Sequence, residues 1–249
     1  MSKPRKFIRA IIGILNPQTW GVFTETYEQT KFDAAFSISY SQGAEDISLL
    51  PILLDDPSIT KDEDRTYIDV GAHDPNRFSV TRRLYDLGWS GINIDANKEL
   101  EAKFLKWRRR DKFIWAAVGR EPEYMFYTFE ERAISTSNQD WKNSAIRSGN
   151  KIVREKKVPG HTLRHILETN FPNGVALLNI DIEGSDDEAL YSLELENLPA
   201  NRKPKWLLLE TSPPVAQALN APAVIYATAN GYIPWLVLGM GTLLKKTGN

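Results

Sequence analysis

The stretch YIDVGAHDPN, residues 67–76, decides how the chain is read. An apolar, partly β-branched run, Tyr67 to Val70, stops at Gly71 and enters a turn closed by Pro75. A strand ending on Asp-x-Gly forms a ligand loop, because glycine lets backbone come close where a Cβ would collide. A pyrophosphate needs several backbone N–H groups, which G-x-G-x-x-G supplies. Here Gly71 is followed by Ala72, His73, Asp74 and Pro75, and Pro75 has no N–H. The loop suits a nucleoside without a phosphate better than a pyrophosphate.

Outward from this loop, strand and helix alternate. The pattern predicts strands over 66–70, 90–95, 112–119, 175–181 and 205–210, with helices over 44–54, 78–87, 97–110, 162–168, 186–193 and 215–230. Leu100, Phe104, Leu105 and Trp107 are expected on or near one face of the third of these helices. Between residues 120 and 160 the alternation lapses into two β-like runs around the polar loop ERAISTSNQDWKNSAIRSGN. Such an insertion is a common place for substrate recognition. GYIPWLVLG and GTLLKK read as a final hairpin. The fold class is α/β: a mostly parallel, Rossmann-like sheet with a C-terminal antiparallel hairpin and helices on both faces. One domain over 65–249 carries the insertion at 120–160, and an extension over 1–64 precedes it.

Composition sets limits. Of the 249 residues, 42% are hydrophobic and 25% charged, as in an ordinary globular protein, and the net charge of −1 argues against nucleic-acid binding. The absence of cysteine excludes disulfides and thiolate-zinc sites and fits a reducing, cytoplasmic setting. KPRKFIRAIIGILN, residues 3–16, is too short to span a bilayer, which takes roughly 20 residues. It reads as a helix docked on the body, or as an amphipathic helix peripheral to the inner face of an anionic membrane.

Carboxylates mark the strand ends: Asp69, Asp95, and Asp181 with Glu183. Asp95 follows Gly71 by 24 residues, the placement of an acid that takes both ribose hydroxyls of a nucleoside. S-adenosylmethionine is such a ligand.

At this point YIDVGAHDPNRFSVTRRLYDLGWSGINIDAN, SYSQGAEDISLL and LLNIDIEGSDDEAL together resemble the FkbM family of S-adenosylmethionine-dependent methyltransferases, over roughly residues 38–212 and in the right order. The resemblance implies a class I methyltransferase sheet. It also implies O-methylation of a sugar hydroxyl in a glycan, glycolipid or glycosylated metabolite, with S-adenosylhomocysteine as product. Gly71 and Ala72 match the loop near the methionine part, and Asp95 the ribose acid, with Ala96, Asn97 and Ala117 around the adenine. Gln42 and Asp46 match a segment closing over the cofactor. Ser79 and Thr81 begin the helix after the loop. Asp181 and Glu183 match the strand end beside the transferred methyl. His73 replaces a second glycine.

Asp181, Glu183 and His73 are the candidate catalytic bases, and no metal site is predicted, although a divalent metal held by these acids would also serve the chemistry. Each residue has a plainer reading. Asp69 suits a cap as well as a ligand contact, and Glu183 a helix-dipole acid. His161 and His165 read as surface residues, KWRRRDK as a solvated helix end or a phosphate attractant, and ISTSNQDW with Trp141 as a polar loop or a sugar contact. The rival functions are a nicotinamide-dependent (NAD(P)) oxidoreductase, which needs the missing glycines, and a non-catalytic glycan-binding relative, which needs no cofactor acids. The oligomeric state is left open.

Overall fold

The computed structural model describes residues 39–248. The N-terminal run at 3–16, with the membrane contact expected of it, lies outside them. Seven strands form the main sheet: β1 (Thr66–Val70), β2 (Ser90–Asp95), β3 (Lys112–Trp115), β7 (Leu177–Ile180), β8 (Trp206–Glu210), β9 (Tyr232–Val237) and β10 (Gly241–Lys246), in the order β3-β2-β1-β7-β8-β10-β9. The first five run parallel, and β10 inserts antiparallel between β8 and β9. The order reverses at β1, so the crevice that such a reversal opens lies beside YIDVGAHDPN.

Period-two alternation along the strands builds a core on each face. Ile68, Val70, Ile92, Ile94, Leu178 and Ile180 meet helices α5 (Leu163–Asn170), α6 (Asp186–Tyr191) and α8 (Pro222–Ala229). Tyr67, Leu177, Trp206 and Leu208 meet α1 (Glu45–Leu54), through Leu49 and Leu53, and Leu84 of α2 (Arg82–Asp86). This second face also carries a polar row, since Asp69 stands in register with Asn93 and Asn179.

A row of buried polar groups needs partners, and Arg108 supplies the centre of them. It follows α3 (Glu101–Trp107) and is fully buried. Its guanidinium donates to the Pro75 and Thr81 carbonyls, the Ser79 and Thr81 hydroxyls and the Tyr67 hydroxyl, at 2.8–3.3 Å. Asp111 lies 3.7 Å away and accepts from the Tyr67 hydroxyl, Asn93 Nδ2 and the Gly91 N–H. KWRRRDK is therefore not simply a solvated helix end, and Arg108 is not available to attract a phosphate.

Several elements are shorter than their patterns predict, for identifiable reasons. The 78–87 helix begins only at Arg82, because Phe78 has φ 58 and the Ser79 and Thr81 side chains hold Arg108. The 97–110 helix opens as a 3₁₀ turn capped by Asn97 and ends at Trp107, where the chain unwinds and turns Arg108 inward. Leu100 and Phe104 are buried, while Leu105 and Trp107 are 65% and 50% exposed. The 112–119 strand divides: β4 (Ala117–Val118) leaves the main sheet to pair with β6 (Ile152–His161), which also pairs with β5 (Glu123–Phe129). The 215–230 helix breaks into α7 (Val215–Leu219) and α8, since Ala221 before Pro222 is extended and Pro222 opens the second helix. Within the polar loop lies an unpredicted helix, α4 (Gln139–Arg147), whose first amides are capped by Asn138 Oδ1 at 2.9 Å.

Replacing Arg108 with Met leaves Asp111 as an uncompensated buried charge and should lower unfolding free energy by about 3–5 kcal/mol. Exposed Arg109→Ala should stay within about 0.5 kcal/mol of the parent. Urea denaturation of both variants measures the contrast, and equal midpoints would contradict it.

Candidate active site

The crevice beside β1 is an open cleft enclosing about 610 Å³, its solvent-filled mouth included. Its floor is the carboxyl ends of β1, β2 and β7. Its far wall is Ala117, Phe126 and the 135–137 segment of the insertion.

Gly71 adopts φ +80, and an added Cβ would stand 1.7 Å from the Asp181 carbonyl oxygen. Glycine is thus required by the neighbouring strand end as well as by any ligand. The Gly71 and Ala72 amides donate to the Ile94 carbonyl, at 2.9 and 3.1 Å, which folds the loop back over β2. Asp95 then fastens the loop: its Oδ2 accepts the His73 N–H at 3.0 Å and its Oδ1 the Asn97 N–H at 2.7 Å. Each oxygen keeps lone-pair capacity toward the cleft, which Asp95 lines. Burial raises its carboxyl to about 6 against these two amide bonds.

The structure brings Gly71, His73, Asp95, Ala96, Asn97, Ala117, Asp181 and Glu183 to this cleft. It places the other candidates elsewhere. Ala72 packs in a small core with Leu100 and Phe104. Asp69 is buried, accepting from the Thr81 hydroxyl at 2.6 Å and Asn179 Nδ2 at 2.8 Å. Ser79 accepts from Arg108, and its amide donates to the Tyr40 carbonyl. Asp46 gathers the Ser39 and Ser41 hydroxyls, the Tyr40 amide and the Arg83 Nε. Gln42 lines a neighbouring cavity. His161 and His165 stack at 5.9 Å, and among the described residues no group of three or more His, Asp or Glu is arranged to hold a metal.

At the end of β7 the charge is one-sided. Glu183 has φ 55, a left-handed conformation that a non-glycine residue keeps only when its surroundings enforce it. The insertion does so: the Thr136 hydroxyl donates to the Glu183 carbonyl at 2.8 Å, and Asn138 Nδ2 to the Gly184 carbonyl at 2.7 Å. Much of the polar chemistry of ISTSNQDW is thereby engaged in closing the site. Burial, then the Asp181 and Asp186 charges, push the Glu183 carboxyl up to about 8. Asp181, still reached by solvent, is raised well above the carboxylate range by surrounding protein and then by Glu210, Asp186, Asp69 and Glu45. Burial pushes His73 the other way, below its ordinary value, so the imidazole is neutral at pH 7.

Two acids escaped the sequence reading. Glu210 ends β8 as Asp181 follows β7, and burial with the Asp186 and Glu183 charges raises it to about 8. LLLE carried the same strand-end signal as the other acids. Glu45, at the start of α1, had no comparable signal.

Residues 69–226 match the model of the methyltransferase FkbM domain. The chain belongs to this family. The FkbM match spans the loop after β1, Asp95, the insertion and both acidic strand ends. No curated protein matches the sequence. A crystal structure described as a putative rRNA-methylase from Clostridium thermocellum is similar over 85% of this chain and 98% of its own, with 10% identity and a TM-score of 0.41. A likeness that distant carries no argument about this FkbM protein.

A carboxyl raised on folding binds its proton more tightly in the folded chain. The stability it contributes is fully present below about pH 4.5 and is lost as pH rises through about 8, for both Glu183 and Glu210. The parent should therefore lose thermal stability across that window. Glu183→Gln and Glu210→Gln should each flatten the loss, seen as melting temperatures that gain on the parent at alkaline pH. Parallel pH profiles would contradict the assignment.

Proposed function

We propose that this FkbM protein transfers a methyl group from S-adenosylmethionine to a hydroxyl of a sugar in a glycan, glycolipid or glycosylated metabolite. The observation that carries the reading is Asp95: a strand-end carboxylate, held by two backbone amides, that lines the cleft beside a single-glycine loop. Its free lone pairs suit a ribose diol. Ala96, Asn97, Ala117 and Phe126 supply small and apolar surfaces for a flat base. Gly71 and Asp181, which line the cleft together, border the space for the amino-acid end. A nicotinamide dinucleotide would need pyrophosphate donors that the loop, with Pro75 in it, lacks.

S-adenosylmethionine, when bound, supplies a methyl group on a positively charged sulfur that leaves as a neutral thioether. The protein has to place the acceptor oxygen in line with that methyl and remove the hydroxyl proton. Orientation of this kind can supply about 7–11 kcal/mol of a barrier, and a positioned base typically about 10²–10⁴-fold in rate. Of the three candidate bases, His73 is neutral at pH 7, whereas Glu183 holds its proton until about pH 8. His73 is therefore the base available at neutral pH, and Glu183 becomes available above it.

Calorimetric titration with S-adenosylhomocysteine, with NAD as comparison, tests the reading. Micromolar affinity for the first and none for the second is expected. Asp95→Asn should weaken S-adenosylhomocysteine by roughly 10–100-fold, the loss of charge-assisted hydrogen bonds of about 1.5–3 kcal/mol. Unchanged affinity in a variant that still folds would refute the ribose role.

A further inference from the structure

Asp181 faces a second cavity as well, of about 390 Å³, over the carboxyl ends of β7 and β8 and the start of β10. Glu45, Asp181 and Glu210 form its acidic side, and Phe78, Leu208 and Met240 contribute apolar surface. Among the described residues that line it, none is a lysine, arginine or histidine.

Glu45 is the telling member. It is 5% exposed, and its Oε2 accepts the Gly43 N–H at 3.0 Å. Its Oε1 is buried with no hydrogen-bond partner among the described residues. A buried acceptor left unpaired is unfavourable, more so when charged. Glu45 also opens α1, where the helix dipole favours negative charge. Its carboxylate lies near enough to Asp181 to raise that group's pKa, as Glu210 does. Three acids thus converge on one small space that no lysine, arginine or histidine lines among the described residues, and Glu45 Oε1 has no donor there.

We infer that this second cavity is the acceptor subsite, and that the acceptor carries a protonated amine near its reactive hydroxyl, as an amino sugar does. The inference rests on the methyl-transfer reading, because Asp181, shared by the two cavities, sets the acceptor beside the cofactor cleft. Glu45 Oε1 and Glu210 receive the ammonium group, whose N–H donors satisfy the orphaned oxygen and whose charge draws the Glu210 carboxyl, otherwise protonated up to about pH 8, into its ionised form. The apolar residues cover the C–H face of the ring. A neutral sugar offers hydroxyl donors but no cation for the acids to ionise against, so the cavity discriminates by charge.

The test uses the full chain saturated with S-adenosylhomocysteine, titrated calorimetrically with glucosamine, glucose and N-acetylglucosamine. Glucosamine should bind about ten-fold or more tightly than either neutral sugar, the size of one charge-assisted hydrogen bond. Glu45→Gln and Glu210→Gln should each remove most of that preference while leaving S-adenosylhomocysteine affinity within about two-fold, below the effect of one hydrogen bond. Circular dichroism shows that each variant is folded. Equal affinity for the three sugars, or no binding of glucosamine at millimolar concentration, would overturn the inference. So would variants that weaken S-adenosylmethionine relative to S-adenosylhomocysteine and leave glucosamine unaffected, since the acids would then serve the sulfonium. Failure of the parent to bind S-adenosylhomocysteine would instead remove the methyl-transfer reading, and the inference with it.

Discussion

A single buried guanidinium fixes the geometry on which the site depends. Arg108 donates into the loop after β1 at Pro75, Ser79 and Thr81. Moving that loop would strand a charge in the interior, which is far more unfavourable than losing a surface contact. The constraint propagates. Thr81 passes it to Asp69 and so to Asn179 on β7, and the Ser79 amide passes it to Tyr40 in the segment that Asp46 holds together. Two strands, the loop and the segment before the sheet are therefore positioned by one connected set of hydrogen bonds. The acids buried within it act as its joints, leaving Asp95 and Asp181 to line the cleft.

A second feature opposes stability. Neighbouring acids, Asp186 among them, raise the proton affinity of Asp181, Glu183 and Glu210, and Glu183 is held in a left-handed backbone conformation. Proteins tolerate such arrangements where the chemistry benefits, and the surrounding structure compensates. Here the insertion compensates through Thr136 and Asn138, which bond the two backbone carbonyls of the strained turn. The same segment walls the cleft, so substrate enclosure and support of the acids come from one piece of chain.

Much of this was legible in the sequence. The alternation of strand and helix located the five parallel strands of the main sheet, and the hairpin pattern of GYIPWLVLG and GTLLKK the other two, because period-two apolar runs bounded by Gly and acids have few other solutions. Gly71 and Asp95 were recognisable by position, since the chain reversal places successive strand ends side by side. What stayed hidden depends on contacts between distant residues. Arg108 in KWRRRDK has the composition of a solvated helix end, and only the polar row on β1, β2 and β7 draws it inward. Asp69 looks like a ligand group by its place at a strand end and Ser79 by the family resemblance, yet a buried arginine and Asn179 bind them first. Glu45 lies far from the strand ends in sequence and reaches them only because α1 packs against the sheet. The α4 helix was readable in principle from its Asn138 cap and acidic first turn, but its polar composition masked it.

The central claim is that Asp95 and the single-glycine loop hold the nucleoside of a methyl donor, with its sulfur directed at the acids beyond β7. A crystal structure of the full chain with S-adenosylhomocysteine tests it most directly. The account predicts both ribose hydroxyls on the Asp95 carboxylate, the base between Ala117 and Asn97, and the sulfur facing Asp181 where the two cavities meet. A nucleoside bound away from Asp95, or a sulfur directed away from Asp181, would contradict it.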